Sequence, residues 1–477
     1  VVLAVSLLAG LAARAALVFG GDEGIVWPDE VYQSFEPAHR LVFGHGLVAW
    51  EYIEGARTWA LPGFVALWLK LCALVGGDSP FVYVRVVKAV FAALSVGAAW
   101  GVYRLARSLG AQELPSAAAS ALWSWGALAL YFGHRAMSEN AASALAVWGL
   151  ALVLDRAASR RVVWLGASLL GLSVLFRLHA GVFCAGALLI LAARALRERT
   201  SAMPTSWRRL GEVTAVLAAW ALAFGALDAA TWHDALGAKW GGWFHSAVVY
   251  LRFNLIEGKA AGWGTSPWHY YVRYLWESMP AVTVALGLGV VLGLRRAPGV
   301  ALLVLAFLAL HMAVGHKELR FVLPVLPVAC ALVALWPEAW TRPAAAAVLL
   351  VAAQSGWASR SLTMGNVGSY LSRAGAPAWD DFGPVNRLLL AASRQQDLCG
   401  LRVDVAHLAW TGGSTYLHTH APLFMPGTPH EPGWFNYVIT GPGSGAEVIA
   451  QDHGLELVRL PGRASCVPAP GYTWRLP

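Results

Sequence analysis

Charge is scarce in this chain of 477 residues, where Asp, Glu, Lys and Arg together make up 13%. The net charge of +8 sits largely in Arg clusters within short loops between apolar runs, where it fixes membrane topology, which excludes a nucleic-acid-binding role. Cysteine is also sparse. Cys72, Cys184, Cys330, Cys399 and Cys466 show no metal-ligand spacing, which excludes a cysteine-built metal site. Cys399 and Cys466 share the polar tail, either as a pair in an oxidising compartment or as two free small hydrophobes. No internal repeat or low-complexity linker is visible, and no small-residue cleavage site follows the first apolar run. That run reads as a retained span, and the Val-Val start implies that a few N-terminal residues are missing.

Apolar residues, in contrast, make up 58% of the chain and its mean hydropathy is +0.55. A single span needs roughly 20 apolar residues, so the chain is a polytopic, essentially all-α membrane protein. Its 24 Trp divide between interfacial anchors, where hydrophobic runs meet polar loops, and core positions. Requiring the basic loops (Arg104/Arg107, Arg156/Arg160/Arg161, Arg194 to Arg209, Arg295/Arg296, Arg342) to be cytoplasmic predicts spans over 1–20, 81–106, 114–131, 139–155, 162–176, 179–196, 211–231, 275–294, 297–313, 320–337 and 343–357. About eleven transmembrane helices result, with the N-terminus inside and the C-terminus outside. Leu61–Val75 is too short to count without inverting every later basic loop, and is expected to lie in the outer interface.

The expected organisation is therefore a transmembrane catalytic domain over 1–357, with outer loops 21–60 and 232–274, and a small soluble α/β domain over 358–477. Within the tail, Leu401–Leu408, Tyr437–Thr440 and Leu455–Leu460 read as strands and Val385–Ser393 as a helix.

Three outer stretches carry concentrated polar chemistry. Trp27–Trp59 holds Asp29, Glu30, Glu36, Glu51 and Glu54 with His39, Arg40, His45 and Arg57. Adjacent acids such as Asp29 and Glu30 can act as a general base or ligate a metal, and in Pro28-Asp29-Glu30 they can equally be solvated acids of a first helical turn. Lys239–Tyr271 interleaves Arg252, Lys259 and His269 with aromatics including Trp268, with Arg273 just after; this suits a sugar face beside an anion, or an interfacial helix. His316-Lys317-Glu318-Leu319-Arg320 places three cations on one predicted helix face, expensive beside a bilayer unless an anion meets them or they snorkel. Pro324 and Pro327 predict a kink there. Arg177, and Arg135 with Glu139, are structural ion pairs or part of the same anion site.

These stretches resemble glycosyltransferase family 22, the polyprenyl-phosphate-mannose-dependent mannosyltransferases of the GT-C fold, and within it the branch that adds the third mannose of the GPI anchor. The resemblance is carried by PDEVYQSFEPAHRLVFGHGLVAWEY (Pro28–Tyr52), LRFNLIEGKAAGWGTSPWHYY (Leu251–Tyr271), HKELRFVLPVLP (His316–Pro327) and, in the tail, LAWTGGSTYLHTHAPLFM (Leu408–Met425). Trp410-Thr411-Gly412-Gly413 departs from the Cys-containing form usual for that tail segment and leaves the acceptor open.

The resemblance implies a GT-C fold and inverting transfer of mannose from a polyprenyl phosphate to a hydroxyl of a lipid-linked glycan, with α-1,2 linkage favoured over α-1,6. Asp29 is then the base with Glu30 as helper; His316, Lys317, Arg320 and Arg177 hold the donor phosphate; Glu51, Arg57, Trp268 and His269 serve the sugar and acceptor. No cofactor or metal is expected, because the donor carries one phosphate; a metal on Asp29 and Glu30 is the alternative. The expected partners are the donor, the acceptor and membrane lipids, the protein being a monomer in a bacterial cytoplasmic membrane with an extracytoplasmic site, or in the ER membrane of a eukaryote. Two competing classes are a transporter or flippase of lipid-linked glycans and a membrane scaffold. The gathering of charge at one face away from the midplane, and the cost of clustering charge beside a bilayer, weigh against them.

Overall fold

A computed structural model describes residues 1–20, 28–197, 205–235, 237–369, 378–380, 382–427, 431, 433–462 and 465–476. Helices dominate. Among the described residues, Val2–Phe19, Pro80–Ser108, Leu178–Arg197 and Ser206–Trp232 are long and apolar enough to cross a membrane, and Ala127–Gly133 with Ser138–Leu154, bent by 118°, adds a fifth candidate. The other expected spans correspond to shorter helices, including Arg160–Phe176, Pro280–Arg296 and Pro298–Ala313. Two depart from expectation for local reasons. The 114–131 run breaks at Trp125-Gly126 into Glu113–Ser124 and Ala127–Gly133. The 320–337 run becomes a 3₁₀ turn, Leu319–Val322, followed by the short helix Leu326–Leu332, because Pro324 and Pro327 lack the N–H a continuous helix would need.

The chain divides into two compact units, Val1–Ala16 with Ala89–Ala376, and Leu17–Lys88 with Pro377–Pro477. The tail from Pro377 falls in the same unit as the first outer loop.

In the larger unit, Ser138–Leu154 packs against Arg160–Phe176, and two glycines set how close they come. A Cβ on Gly149 would lie 2.9 Å from Gly166 O, and one on Gly166 3.0 Å from Gly149 O, so any larger side chain would force the backbones apart. Arg14, in the first helix, is fully buried and donates to Gly10 O, Ser124 O and Ala129 O and to Ser95 Oγ. Ser124 ends the helix that stops at Trp125-Gly126, so the guanidinium caps a carbonyl freed by that interruption while also reaching Ala129 O in the next helix.

In the smaller unit a five-stranded sheet runs β2-β1-β3-β5-β4, formed by β1 (Leu401–Val403), β2 (Leu423–Phe424), β3 (Tyr437–Thr440), β4 (Glu447–Asp452) and β5 (Leu455–Arg459). β1 is parallel to β2 and β3, while β5 is antiparallel to β3 and β4. Helix Gly383–Ala392 precedes the sheet. Phe424, Phe435, Val438 and Val458 form a buried cluster. Cys399 and Cys466 form a disulfide, with Cα atoms 5.6 Å apart.

Candidate active-site residues

The first polar stretch begins with Pro28, suited to a first helical turn, and Val31–Phe35 then winds as a π-helix before Glu36–Phe43 returns to α. Such wide turns re-aim neighbouring side chains and are common at functional sites. Here Asp29 stays half-exposed while Glu30 is enclosed. Glu51 is buried and accepts from Gln33 Nε2 at 2.7 Å, and Tyr52 Oη donates to Gln33 O at 2.9 Å. Burial first, and then the charge of Asp29, raise the Glu51 carboxyl to about 7, with Arg57 acting in the opposite sense. Asp29, Glu51 and Arg57 thus belong to one electrostatic neighbourhood, in which one carboxyl is poised to hold a proton near neutrality.

Glu36 and His39 lie on the next helix and meet the tail segment that shares their unit. Glu36 Oε1 accepts from Thr415 N and Oγ1, and Glu36 Oε2 from Leu47 N at 2.6 Å. Burial raises this carboxyl to about 7 despite those donors. His39 Nδ1 faces His45 O at 2.8 Å and therefore donates, which leaves Nε2 to accept from His418 Nδ1 at 2.9 Å. Burial, with His45, His418 and His420 nearby, lowers His39 to about 3. Tyr32 Oη donates to Leu408 O. The strings at Pro28–Tyr52 and Leu408–Met425 are therefore physically one assembly, although nearly the whole chain separates them.

The cationic residues belong to the larger unit. The sharp bend before Ser138–Leu154 is held by Asn140 Nδ2 donating to Gly133 O at 2.7 Å and Arg135 O at 3.2 Å. It delivers Glu139 to a helix N-terminus, where a carboxylate is favoured. Glu139 Oε1 meets Arg177 Nη1 at 3.1 Å and Arg320 Nη1 at 2.6 Å. Arg320 Nε donates to Glu318 Oε2, and Glu318 Oε1 lies 3.1 Å from His316 Nε2. Arg177 and Arg320 both lie over the Phe321 ring, at 5.1 and 4.9 Å. Lys317 Nζ donates to Ser266 O at 2.9 Å and to Val314 O.

All of these charged groups are buried. Burial opposes the ionised form of Glu318, but Arg320 and His316 together bring it down to about 2; burial opposes the His316 imidazolium, but Glu318 raises its pKa overall. Among the described contacts, Glu139 and Glu318 each meet more than one cationic side chain, which concentrates Arg177, Arg320 and His316 in one buried cluster with Lys317 adjacent in sequence.

One expectation is corrected here. His316 and Lys317 are not helical and Glu318 is extended (φ −134°, ψ 141°), so the cations do not share a helix face; shared carboxylates bring His316, Arg320 and Arg177 together. Trp268 and His269 lie edge to face, 5.5 Å between ring centroids, and are exposed. The strand of chain just before them is tied to the cationic segment, with Ser266 N donating to Gly315 O and His316 Nδ1 to Gly264 O. Glu36 and Thr415 are connecting residues that sequence reasoning left without a role, while Glu139, read there as an ion pair with Arg135 or as part of an anion site, pairs here with Arg177 and Arg320. An isolated carboxylate at a span end, as at Glu139, was the available signal.

The sequence profile of the Alg9-like mannosyltransferase family matches residues 6–383. The chain belongs to this family. Among its relatives, the GPI alpha-1,2-mannosyltransferase 3 of Danio rerio is 28% identical over 342 residues, 68% of this chain and 58% of the relative. The GPI mannosyltransferase 3 of Yarrowia lipolytica is 29% identical over 308 residues, 63% of this chain and 56% of the relative. The match thus spans a little over half the length of these relatives.

As a member of the Alg9-like family the chain has the expected GT-C fold. It is similar to ArnT from Cupriavidus metallidurans bound to undecaprenyl phosphate, with a TM-score of 0.63 at 12% identity, covering 95% of this chain and 97% of ArnT. It is also similar to the Archaeoglobus fulgidus oligosaccharyltransferase AglB, with a TM-score of 0.55 at 13% identity, covering 89% of this chain and 64% of that one. It is a multi-pass membrane protein, and the residues assembled above lie within the matched span except for the tail partners Leu408, Thr415, His418 and His420.

Proposed function

We propose that this chain is an inverting mannosyltransferase that moves mannose from a polyprenyl phosphate to a hydroxyl of a lipid-linked glycan, on the outer face of the membrane that its eleven expected spans would cross. The observation that carries the reading is the buried Arg177–Glu139–Arg320–Glu318–His316 network with Lys317 beside it. Its clustered guanidinium, ammonium and imidazole groups suit a phosphate whose negative charge grows as the sugar–phosphate bond breaks. Asp29 removes the proton from the acceptor hydroxyl, that oxygen attacks the anomeric carbon, and the lipid phosphate leaves with the bonding electrons. Glu30, enclosed beside Asp29, and Glu51, poised near neutrality, shape the field around that base. Trp268, His269 and Arg57 take the sugar and acceptor.

The names of the relatives support an α-1,2 linkage, and the undecaprenyl phosphate held by the ArnT structure is a precedent for the carrier lipid. The Cys399–Cys466 disulfide supports an oxidising compartment for the tail, extracytoplasmic in a bacterium or lumenal in the ER. The test is transfer from polyprenyl-phosphate mannose, compared with the glucosyl and arabinosyl analogues, by the full chain in membranes. Incorporation of mannose alone is expected; incorporation of another sugar, or of none, overturns the reading.

A further inference from the structure

Beside the cationic network runs a chain of three side chains that the proposed reaction does not use. His311 Nδ1 lies 2.8 Å from Phe307 O, His311 Nε2 lies 3.3 Å from His179 Nδ1, and His179 Nε2 lies 2.5 Å from Tyr250 Oη. A carbonyl can only accept, so His311 Nδ1 carries the proton. With that ring uncharged, its Nε2 accepts from His179 Nδ1–H, and His179 Nε2 in turn accepts from the Tyr250 hydroxyl. Each nitrogen's role fixes the next, and the whole chain points one way, from the phenol to a backbone carbonyl.

Three elements are joined in this way. Tyr250 belongs to helix His245–Leu251, which leads into the π-helical Arg252–Ile256 of the second outer segment. His179 belongs to the 3₁₀ turn Leu178–Ala180, and His311 to helix Pro298–Ala313. Arg177 immediately precedes that turn, and its carbonyl accepts from Ala180 N at 2.9 Å. The backbone bearing Arg177 is thus braced by His179 from two sides, while its guanidinium is aimed by Glu139 and Ser138.

We propose that His179 and Tyr250 are positioning residues for Arg177: the directional Tyr250–His179–His311 chain locks the Arg177 turn so that a lipid phosphate meets the guanidinium in one geometry. The inference rests on the polyprenyl-phosphate donor of the proposed function. A flexible turn would still present the charge but spread it over several orientations, which weakens anion binding without touching the proton transfer.

The experiment measures transfer by the full chain in nanodiscs for wild type, Tyr250→Phe, His179→Phe, Arg177→Lys and the double variant Arg177→Lys/Tyr250→Phe. Binding of polyprenyl phosphate alone is followed in parallel by quenching of intrinsic tryptophan fluorescence. Loss of one hydrogen bond predicts a roughly fivefold to tenfold rise in donor KM for Tyr250→Phe, with kcat and acceptor KM held within about twofold. In the Arg177→Lys background the same substitution is expected to add nothing, because the group being positioned is already gone. Unchanged donor KM, a shift confined to acceptor KM, or losses that multiply in the double variant would overturn the proposal. If wild type transfers no sugar from a polyprenyl phosphate, the proposed function fails, and the binding measurement decides the positioning role: weaker polyprenyl-phosphate binding by Tyr250→Phe upholds it, and equal or absent binding overturns it.

Discussion

Glu36 and Thr415, 379 positions apart, make a double hydrogen bond in which one carboxylate oxygen accepts from the threonine N–H at 2.6 Å and from its hydroxyl at 2.9 Å. The contact ties the helix that follows Asp29 to the Gly413–Leu417 turn of the tail. It gives the acidic stretch a rigid floor within its own unit.

Glu36→Ala leaves the buried Thr415 and Leu47 donors without their acceptor. At roughly 1–3 kcal/mol for each unsatisfied buried group, a loss of about 3 kcal/mol is expected. A thermal melt of the purified chain in detergent measures it, and an unchanged midpoint would show that the contact contributes nothing.

Two groups in this unit give its stability opposing pH dependences. Glu36 is raised by burial from 4.5 to about 7, so its contribution is full below 4.5 and is lost as pH rises through 7. His39 is lowered by burial from 6.5 to about 3, so its contribution is present above 6.5 and is lost as pH falls toward 3. Melting midpoints recorded from pH 4 to pH 8 should therefore lose their acid-side slope in His39→Phe and their alkaline-side slope in Glu36→Gln. Identical profiles in wild type and both variants would contradict these assignments.

The disulfide closes a long loop, Cys399 and Cys466 being 67 positions apart. Replacing both by serine is expected to cost about 4 kcal/mol at most on the chain-entropy account. Non-reducing peptide mapping of the wild type, followed by melts of the double variant, checks the bond and its worth together.

Lys317 offers a cleaner probe of the cationic network than Arg320. Arg320 is gripped by two buried carboxylates, so Arg320→Ala leaves both short of a cation and is expected to cost roughly 3–5 kcal/mol of stability in addition to any effect on donor use. Lys317 donates to the carbonyls of Ser266 and Val314. Lys317→Met should fold and lose roughly 100-fold in kcat/KM for the lipid-phosphate donor. A loss seen only in melting temperature would count against a catalytic role.

Much of this was legible before the structure. Long apolar runs fixed the helices because hydropathy and length act locally, and the strands at Tyr437–Thr440 and Leu455–Arg459 were visible as β-branched and apolar runs. Strand β2 has only two residues, and β4 is an edge strand with little burial, so neither carried a period that could be read. The structure does bring the candidate cations His316, Arg320 and Arg177 together, but not for the reason expected: His316 and Arg320 meet through Glu318 and not through a helical repeat. The pairing of the Asp29 stretch with the tail depends on long-range partners such as Glu36 with Thr415 and His39 with His418, which no local pattern announces.

The most direct test of the central claim is transfer of radiolabelled mannose from a polyprenyl phosphate to lipid-linked glycan acceptors by membranes containing wild type or Asp29→Asn, with both proteins shown to be equally folded. The account predicts incorporation by wild type that disappears in Asp29→Asn while polyprenyl-phosphate binding persists. Near-normal turnover by Asp29→Asn would remove Asp29 as the base, and no transfer by wild type would contradict the proposed function itself.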